Sequence, residues 1–238
     1  MKRVATIILN RNLPEPTNRL VDHLKQFDDE HNDIYVLEAG SEEELLSENY
    51  TWHANTPDIR KQGLRYCRGM NYGLLQLRKE GKWYQYDAFF LITNDTELLP
   101  EPTLKVLLKL LQEHPRVGII SPCSKRWGER HLLKEQPTKY FWFIHNNALL
   151  MRREFLESII EIDEPTYMNF LFDGSNFRGY LCESELIAKA YANDWTAAIT
   201  SKVFAEENES YLLNKADLIH TESYQENLRL YLEEGRQW

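Results

Sequence analysis

Short apolar runs alternate with amphipathic segments along the first half of the chain. Residues 4–9 (VATIIL) are aliphatic and partly β-branched, which is typical of a strand buried on both faces. Behind a cap at Thr17, apolar residues recur at helical spacing: Leu20, Val21, Leu24 and Phe27. Because a second apolar run follows at 34–37, the pattern predicts two parallel strands joined by a helix.

The same alternation continues through the rest of the first half. It predicts helices at 66–77 and 104–111, strands at 88–92 and 117–120, and a loop with one helical turn in the polar stretch 41–59. Strands that alternate with helices are typical of a parallel sheet covered on both sides. The expected fold class is therefore α/β, with a mainly parallel central sheet and helices on both faces.

The second half of the chain has a less regular pattern. An aromatic and aliphatic run at 141–151 is strand-like but is broken by His145-Asn146-Asn147. Further along, the spacing predicts helices at 153–160, 183–192 and 223–234, and a strand at 197–204.

Composition fits one packed globular domain. Hydrophobic residues make up 42% of the 238 residues, and the sequence contains no Gly/Ser linker, low-complexity tract or internal repeat. We therefore expect a single continuous domain over 1–238, with halves at about 1–120 and 121–238.

The charge balance argues against a nucleic-acid partner. Asp and Glu number 37 against 28 Lys and Arg, for a formal charge of -9, whereas nucleic-acid binding relies on clustered cations. No apolar run approaches the roughly 20 residues that cross a bilayer, and the first residues do not resemble a signal peptide. We expect a cytoplasmic protein with no transmembrane segment.

Cysteine and histidine spacings do not indicate a zinc site. Cys67, Cys123 and Cys182 are far apart and form no Cys-x-x-Cys pair, and no His-Glu-x-x-His motif is present. We expect the cysteines to be reduced.

A polar pair follows the strongest predicted strand. Asn94 and Asp95 come directly after the run AFFLI, and ligands of open parallel sheets bind at the carboxyl ends of strands. Asp95 is therefore a candidate ligand-binding carboxylate. The alternative is a turn residue or helix cap, since Asn and Asp favour both positions.

Three segments of the first half resemble motifs of the family 2 glycosyltransferases, whose fold is called GT-A. Residues 37–41 (LEAGS) resemble a strand ending in Val-Asp-x-Gly-Ser, whose acidic residue holds the base or ribose of the donor nucleotide. Residues 68–74 (RGMNYGL) resemble the segment Ala-x-Asn-x-Gly. Residues 93–95 (TND) fall on the Asp-x-Asp position, with only the last acid kept.

The second half resembles the same family. Residues 172–186 follow the pattern Phe-Asp-x-x-Phe-x-x-Tyr-x-Glu-Asp-x-Asp-Leu with one extra residue, so that Glu183 takes the place of the catalytic Asp. Residues 147–153 (NALLMRR) resemble the family strand beneath the acceptor site. The resemblance covers nearly the whole chain, and its motifs occur in the family's order.

The resemblance implies a GT-A, Rossmann-like domain whose first half binds a nucleotide sugar and whose second half binds the acceptor. It implies that the donor, a UDP- or dTDP-sugar, contacts Glu38, Arg68, Asn71, Asn94 and Asp95. Asp95 would hold Mn²⁺ or Mg²⁺, and Glu183 would be the catalytic base of an inverting transfer. The implied acceptor is a glycan or lipid-linked saccharide of polysaccharide biosynthesis, placing the protein in the cytoplasm or at the inner membrane.

Several positions depart from the family pattern. Glu replaces Asp at positions 38 and 183, Cys182 replaces a Glu, and Ala205 stands where the family has a metal-binding His. Substitute ligands would be Glu206, Glu207 or His220, although surface carboxylates are usually only solvated. Without the family register, Glu183 is better explained as a solvated acid in the first turn of a helix, where the dipole favours acids, and Glu185 could equally be that residue.

Aromatic residues give a further, weaker signal. The run at 140–143 (YFWF) would either stack on sugar rings or form a buried strand, and Trp127 would belong to a loop over the ligands.

Two other functions stay open. A sugar-phosphate nucleotidyltransferase would carry a glycine-rich loop after its first strand, which residues 10–14 lack; a non-catalytic sugar-nucleotide or glycan-binding module would tolerate the departures.

Overall fold

The computed structural model describes residues 3–126, 131, 133–134, 136–141, 144, 147–160, 163–177, 179, 181–211 and 229. Its strands are β1 (Val4–Asn10), β2 (Asn32–Ala39), β3 (Tyr50–Ala54), β4 (Ala88–Thr93), β5 (Thr96–Leu98), β6 (Val117–Cys123), β7 (Thr138–Tyr140), β8 (Ala148–Arg152) and β9 (Thr196–Glu207). Its α-helices are α1 (Pro14–Phe27), α2 (Pro57–Gln62), α3 (Arg65–Lys79), α4 (Thr103–Glu113), α5 (Arg153–Ile159) and α6 (Cys182–Ala192).

The described strands form one mixed sheet in the order β3-β2-β1-β4-β8-β6-β9-β5, and β7 pairs with β9. Strands β3, β2, β1 and β4 are parallel, whereas β8 runs antiparallel between β4 and β6. Asn10 lies opposite Glu38, and Leu9 lies opposite Thr93. The carboxyl ends of three neighbouring strands therefore meet at one edge, as the sequence predicted.

Helices cover both faces of the sheet because alternate strand residues point to opposite sides. On one face, Ile8 and Phe90 pack with α1 and α4. On the other, Ile7 and Phe89 pack with α3, α5 and α6. The expected α/β fold with helices on both faces is confirmed.

Two glycines of helix α3 pack against side chains of β1. A Cβ atom at Gly69 would lie 2.4 Å from Leu9 Cδ1, and one at Gly73 would lie 2.8 Å from Ile7 Cγ2, so a larger residue at either position would require these side chains to move. Because Gly69 faces the end of β1 and Gly73 faces its middle, α3 begins at the carboxyl edge of the sheet and runs away from it.

Helix α4 is capped by a residue from outside it. The carboxylate of Asp28 accepts hydrogen bonds from the backbone N–H groups of Thr103 (3.0 Å) and Leu104 (2.8 Å). These are among the first N–H groups of the helix, which have no partner within it. Burial raises the pKa of Asp28, and the N–H bonds oppose this shift.

Two predictions need correction. Helix α1 begins at Pro14 rather than behind Thr17, because proline suits the first helical turn; the Thr17 hydroxyl lies inside the helix and donates to Leu13 O at 2.8 Å. The stretch 41–59 contains β3, which an exposed edge position and mixed polarity conceal in the sequence.

The helix expected at 223–234 lies outside the described residues except for Arg229. Within the described part of the chain, no helix combines the length and apolar character that a bilayer span requires.

Candidate active site

Glu38 is completely buried at the end of β2 and is held by four hydrogen bonds. Asn10 Nδ2 donates to both carboxylate oxygens, at 3.0 and 2.9 Å. The Ser41 hydroxyl donates to Oε2 at 2.5 Å, and Ser47 N donates to Oε1 at 2.7 Å. The carboxylate therefore fixes the loop between β2 and β3 to the end of β1.

Asn10 extends this network across the sheet edge. Its Oδ1 accepts a hydrogen bond of 2.7 Å from Asn94 Nδ2, so that Glu38, Asn10 and Asn94 are linked over three neighbouring strands. Sequence reasoning missed Asn10, although it directly follows the first predicted strand and thus occupies the same kind of position as Asp95.

Asp95 lies in the turn between β4 and β5, beside Asn94. Its Oδ1 is buried, and the described residues provide it with no hydrogen-bond partner. Burial raises the pKa of Asp95, opposed by hydrogen bonds from the Thr93 side chain and its own backbone N–H. A cation would satisfy this oxygen and favour the ionised form, so the position fits a divalent metal.

Strand β9 brings other residues to this turn. Asn208 N donates to Asp95 O at 2.9 Å, so Asn208 stands beside Asp95, whereas Ala205 lies opposite Leu98. Glu206 accepts hydrogen bonds from the Ser124 hydroxyl (2.7 Å) and Lys125 N (2.6 Å), which bind it to the end of β6.

The metal would therefore depend on few protein ligands. Three residues were proposed as substitute metal ligands. The carboxylate of Glu206 is hydrogen-bonded to the residues that follow β6, Glu207 lies opposite Thr96, and His220 lies outside the described residues. The described ranges contain no cluster of three or more His, Cys, Asp or Glu side chains suited to a metal. Mg²⁺ and Mn²⁺ complete their coordination with phosphate and water, so one carboxylate is chemically adequate.

Arg68 and Asn71 project from α3 to the segment before α6. Asn71 Oδ1 accepts from Leu171 N and Phe172 N, each at 2.9 Å, and its Nδ2 donates to Tyr167 O (3.0 Å) and Phe172 O (2.8 Å). These contacts use the hydrogen-bonding capacity of the Asn71 amide. Its direct contact with a donor stays a prediction.

Arg68 is also completely buried. Its Nε donates to Gly174 O at 2.5 Å, and its guanidinium lies 5.1 Å from the centroid of the Phe177 ring. Burial lowers the pKa of Arg68 to about 10, so the group is still a cation at neutral pH. Arg68 therefore places a positive charge between α3 and the segment before α6.

Glu183 lies in the first turn of α6 and is 9% exposed. Leu181, the N-cap residue, has a left-handed backbone with φ of 57°. Burial raises the pKa of Glu183, offset only in part by its own backbone N–H and the Cys182 thiol, whose Sγ lies 3.7 Å from Oε2. Glu185, in contrast, forms a 2.8 Å ion pair with Lys189 on the same helix.

The predicted residues thus form two groups. Glu38, Asn94 and Asp95 lie at the carboxyl edge of the parallel strands, linked through Asn10. Arg68 and Asn71 hold the segment that leads to Glu183. Since α3 begins at that same edge, the second group lies at the same end of the domain as the first.

Only part of the predicted aromatic surface can be placed. Tyr140 is 56% exposed and packs edge-on against His114, while Phe141 packs against a small core of Cys123, Leu133 and Ile199. Trp142, Phe143 and Trp127 lie outside the described residues.

No family model matches the chain, and a search of curated protein sequences gives no match. Solved structures do share its fold. The mannosyltransferase PcManGT from Pyrobaculum calidifontis, in complex with GDP-Man and Mn²⁺, has a TM-score of 0.58 at 14% identity, covering 84% of this chain and 54% of that one. S. aureus TarS 1-349 in complex with UDP has a TM-score of 0.60 at 13% identity, covering 85% and 59%.

GalNAc-T7 with UDP, GalNAc and Mn²⁺ has a TM-score of 0.65 at 11% identity, covering 98% of this chain and 48% of that one. The chain therefore spans only 48 to 59% of the length of these proteins. The GT-A fold implied by the sequence motifs is confirmed by this likeness.

Proposed function

We propose that the chain is an inverting, metal-dependent glycosyltransferase that moves a sugar from a UDP- or dTDP-sugar to a hydroxyl of a glycan or lipid-linked saccharide. The observation that carries the proposal is the buried Oδ1 of Asp95 at the carboxyl edge of a GT-A sheet, an oxygen to which the described residues donate no hydrogen bond. The structural neighbours support it. PcManGT is in complex with GDP-Man and Mn²⁺, TarS 1-349 with UDP, and GalNAc-T7 with UDP, GalNAc and Mn²⁺.

Asp95 is the proposed metal-binding residue. A bound Mn²⁺ or Mg²⁺ would supply positive charge near the leaving diphosphate, on which negative charge develops. Glu38 and Asn10 hold Asn94, and hence the turn that carries Asp95, in place. Through these contacts Glu38, whose buried carboxylate is occupied by four hydrogen bonds, serves the donor site as a positioning residue.

Glu183 is the proposed catalytic base. It accepts the proton of the acceptor hydroxyl as that oxygen bonds to the anomeric carbon, and the electron pair of the broken bond leaves with the diphosphate. Attack from the face opposite the leaving group inverts the anomeric carbon. The burial of Glu183 favours this role, because a raised pKa makes the carboxylate a stronger base.

Arg68 and Asn71 connect the two halves of the site. Both are buried in α3 and bind backbone carbonyl groups of the segment 167–174, which leads into α6. We propose that they keep the base at a fixed distance from the donor edge. The division into a donor half (about 1–120) and an acceptor half (121–238) belongs to this proposal, as does a cytoplasmic site of action with access to acceptors at the inner membrane.

A non-catalytic sugar-nucleotide or glycan-binding module is the second candidate. It is favoured by one observation, that neither Ala205, which the sequence motif aligns with the metal-binding His and which lies opposite Leu98, nor Asn208, which lies beside Asp95, is a histidine. Such a module would bind a nucleotide sugar without cleaving it.

Thermal unfolding with nucleoside diphosphates tests the proposal. A ligand that binds only the folded state, at about 100 times its Kd, stabilises that state by about 2.7 kcal/mol. We expect stabilisation by UDP or dTDP with Mn²⁺, and loss of the Mn²⁺-dependent part in Asp95→Asn. Asp194→Asn, which changes a fully exposed carboxylate, is the control. Release of UDP from UDP-sugars then separates the enzyme from the sugar-nucleotide-binding module. A chain that binds no nucleotide would refute both of these and leave only the glycan-binding form.

A further inference from the structure

Two arginines lie at the carboxyl edge of the sheet, one on each of two packed elements. Arg11 directly follows β1, and Arg65 is the first residue of α3, which runs away from this edge. Gly69 of α3 packs on Leu9 of β1. Four residues of a helix and two residues of a strand both span about 6 to 7 Å. Arg65, four residues before Gly69, therefore lies at the level of Arg11, two residues after Leu9.

The turn before α3 packs directly on the side chain of Arg11. A Cβ atom at Gly63 would lie 2.9 Å from both Cδ and Nη1 of Arg11, and Nη2 donates to Arg60 O at 3.0 Å. The Nη1 group of Arg11 has no hydrogen bond to the described residues and, unlike Nε, is not buried. The guanidinium is therefore held in place with one nitrogen able to donate to a ligand.

The side chain of Arg65 is exposed and stacks on an aromatic ring. Its guanidinium carbon lies 5.4 Å from the centroid of the Phe177 ring, and that of Arg68 lies 5.1 Å from the same centroid. Because a guanidinium donates hydrogen bonds in its own plane, stacking leaves the N–H edge of Arg65 open to a ligand. Positive charge thus extends from the end of β1 to the segment before α6.

No carboxylate forms an ion pair with Arg11 or Arg65 in the part of the chain that the structure describes, although the whole chain has a formal charge of -9. Burial lowers the pKa of Arg11, the charge of Arg65 lowers it further, and Glu42 opposes these shifts. Neighbouring cations repel each other, and an anion bound between them removes this cost. The pair of arginines therefore favours an anionic ligand.

We propose that Arg11 and Arg65 bind the diphosphate of the donor nucleotide. A guanidinium matches phosphate in shape and charge. Asn10, which precedes Arg11, is hydrogen-bonded to Asn94, which precedes Asp95, so the arginines stand beside the proposed metal position. They add positive charge to a leaving group whose metal has one protein carboxylate. The inference rests on the proposed function, because it takes the donor to be a nucleoside-diphosphate sugar.

Binding of UDP and of uridine, measured by ligand-observed NMR both in EDTA and in Mn²⁺, tests the two arginines. We expect Arg65→Gln to weaken UDP binding about 10- to 100-fold, the usual value of a hydrogen bond to a charged group, and Arg11→Gln to do the same. Uridine binding should not change, because uridine has no phosphate. Arg78→Gln is the control: Arg78 is an exposed arginine in the last turn of α3, with its guanidinium 5.9 Å from the Phe170 ring.

The outcomes separate this inference from the proposed function. If Arg11→Gln and Arg65→Gln both bind UDP like the parent, the inference is wrong and the proposed function stands. An equal loss of affinity for UDP and uridine would also overturn it, since the nucleoside site rather than a phosphate contact would then be damaged.

A parent protein that binds no UDP in either buffer would refute the proposed function. Inorganic pyrophosphate then decides on the arginines. Binding by the parent that is lost in Arg65→Gln and kept in Arg78→Gln would uphold a diphosphate site, and a parent that binds no pyrophosphate would overturn the inference.

Discussion

Asn10 and Glu38 form a two-point contact at the carboxyl edge of the sheet, with Asn10 Nδ2 at 3.0 and 2.9 Å from the two carboxylate oxygens. Both residues are buried, and they lie opposite each other in the register of β1 and β2. Since Asn10 Oδ1 also accepts from Asn94, this contact determines where the Asp95 turn lies.

Glu38→Ala should therefore destabilise the protein as well as weaken nucleotide binding. The change leaves Asn10 Nδ2 and Ser47 N buried without a partner, and we expect a loss of about 1–3 kcal/mol for each such group. Urea unfolding measures this loss, and Glu44→Ala, which changes an exposed residue of the same loop, is the control. Nucleotide binding should weaken with or without Mn²⁺. An unchanged free energy of unfolding would show that the hydrogen bonds to this carboxylate do not stabilise the carboxyl edge of the sheet.

The sequence predicted that Glu38 and Asp95 follow neighbouring parallel strands at one edge of the sheet, because the underlying rule is local. Asp95 directly follows a strongly apolar strand, and the carboxyl ends of parallel strands must meet. The same rule applied to Asn10 would have found the residue that links Glu38 to Asn94. Its neighbour Arg11, which donates to Arg60 O at 3.0 Å, has a structural contact that only the folded loop defines.

Other features depend on contacts that no local pattern contains. The hydrogen bonds that occupy Glu38 include one from Ser47 N, nine residues further along the chain. Strand β3 is an exposed edge strand, so it lacks the apolar run that marks the central strands. The sequence gives some guidance on whether Glu183 or Glu185 is the candidate base. Glu185 and Lys189 are four residues apart on a predicted helix, a spacing that permits the ion pair that the structure contains.

Asp95→Asn should remove Mn²⁺-dependent nucleotide binding without loss of stability in metal-free buffer. Because burial raises the pKa of Asp95, its ionised form costs folding free energy above that pKa, and the amide does not ionise. Melting temperatures with EDTA should therefore be equal or higher for the variant at pH 7. Calorimetric titration of UDP with and without Mn²⁺ measures the binding. Equal Mn²⁺ dependence in the parent and Asp95→Asn would exclude Asp95 as the metal ligand.

Asp28→Ala should destabilise the protein away from the site. Loss of a cap to the first N–H groups of a helix typically costs about 0.5–2 kcal/mol, and here Thr103 N and Leu104 N lose their acceptor. Asp28→Asn should retain most of the stability, and Asp29→Ala, at an exposed neighbouring position, is the control. Urea unfolding measures all three, and equal losses in Asp28→Ala and Asp29→Ala would contradict the capping role.

Glu183→Gln should lower the rate of transfer or hydrolysis by about 10² to 10⁴, the usual value of general base catalysis, and leave UDP affinity little changed. Glu185→Gln should lose much less, because its carboxylate is paired with Lys189. Single-turnover measurements on both variants decide the assignment. A larger loss of rate in Glu185→Gln than in Glu183→Gln would assign the role of base to Glu185 instead.

The pH dependence gives an independent check on Glu183. A base must be ionised, so activity should fall as the pH drops through the pKa of Glu183, which burial places above the ordinary value of about 4.3. The contribution of Glu183 to stability has the opposite pH dependence. A raised pKa contributes stability below the unfolded value, and this contribution is lost as the pH rises through the folded value. Glu183→Gln should therefore melt at a higher temperature than the parent at pH 8, and the difference should shrink towards pH 4. If the difference grew on acidification instead, the carboxylate would be stabilised in its ionised form, and its burial could not account for a strong base.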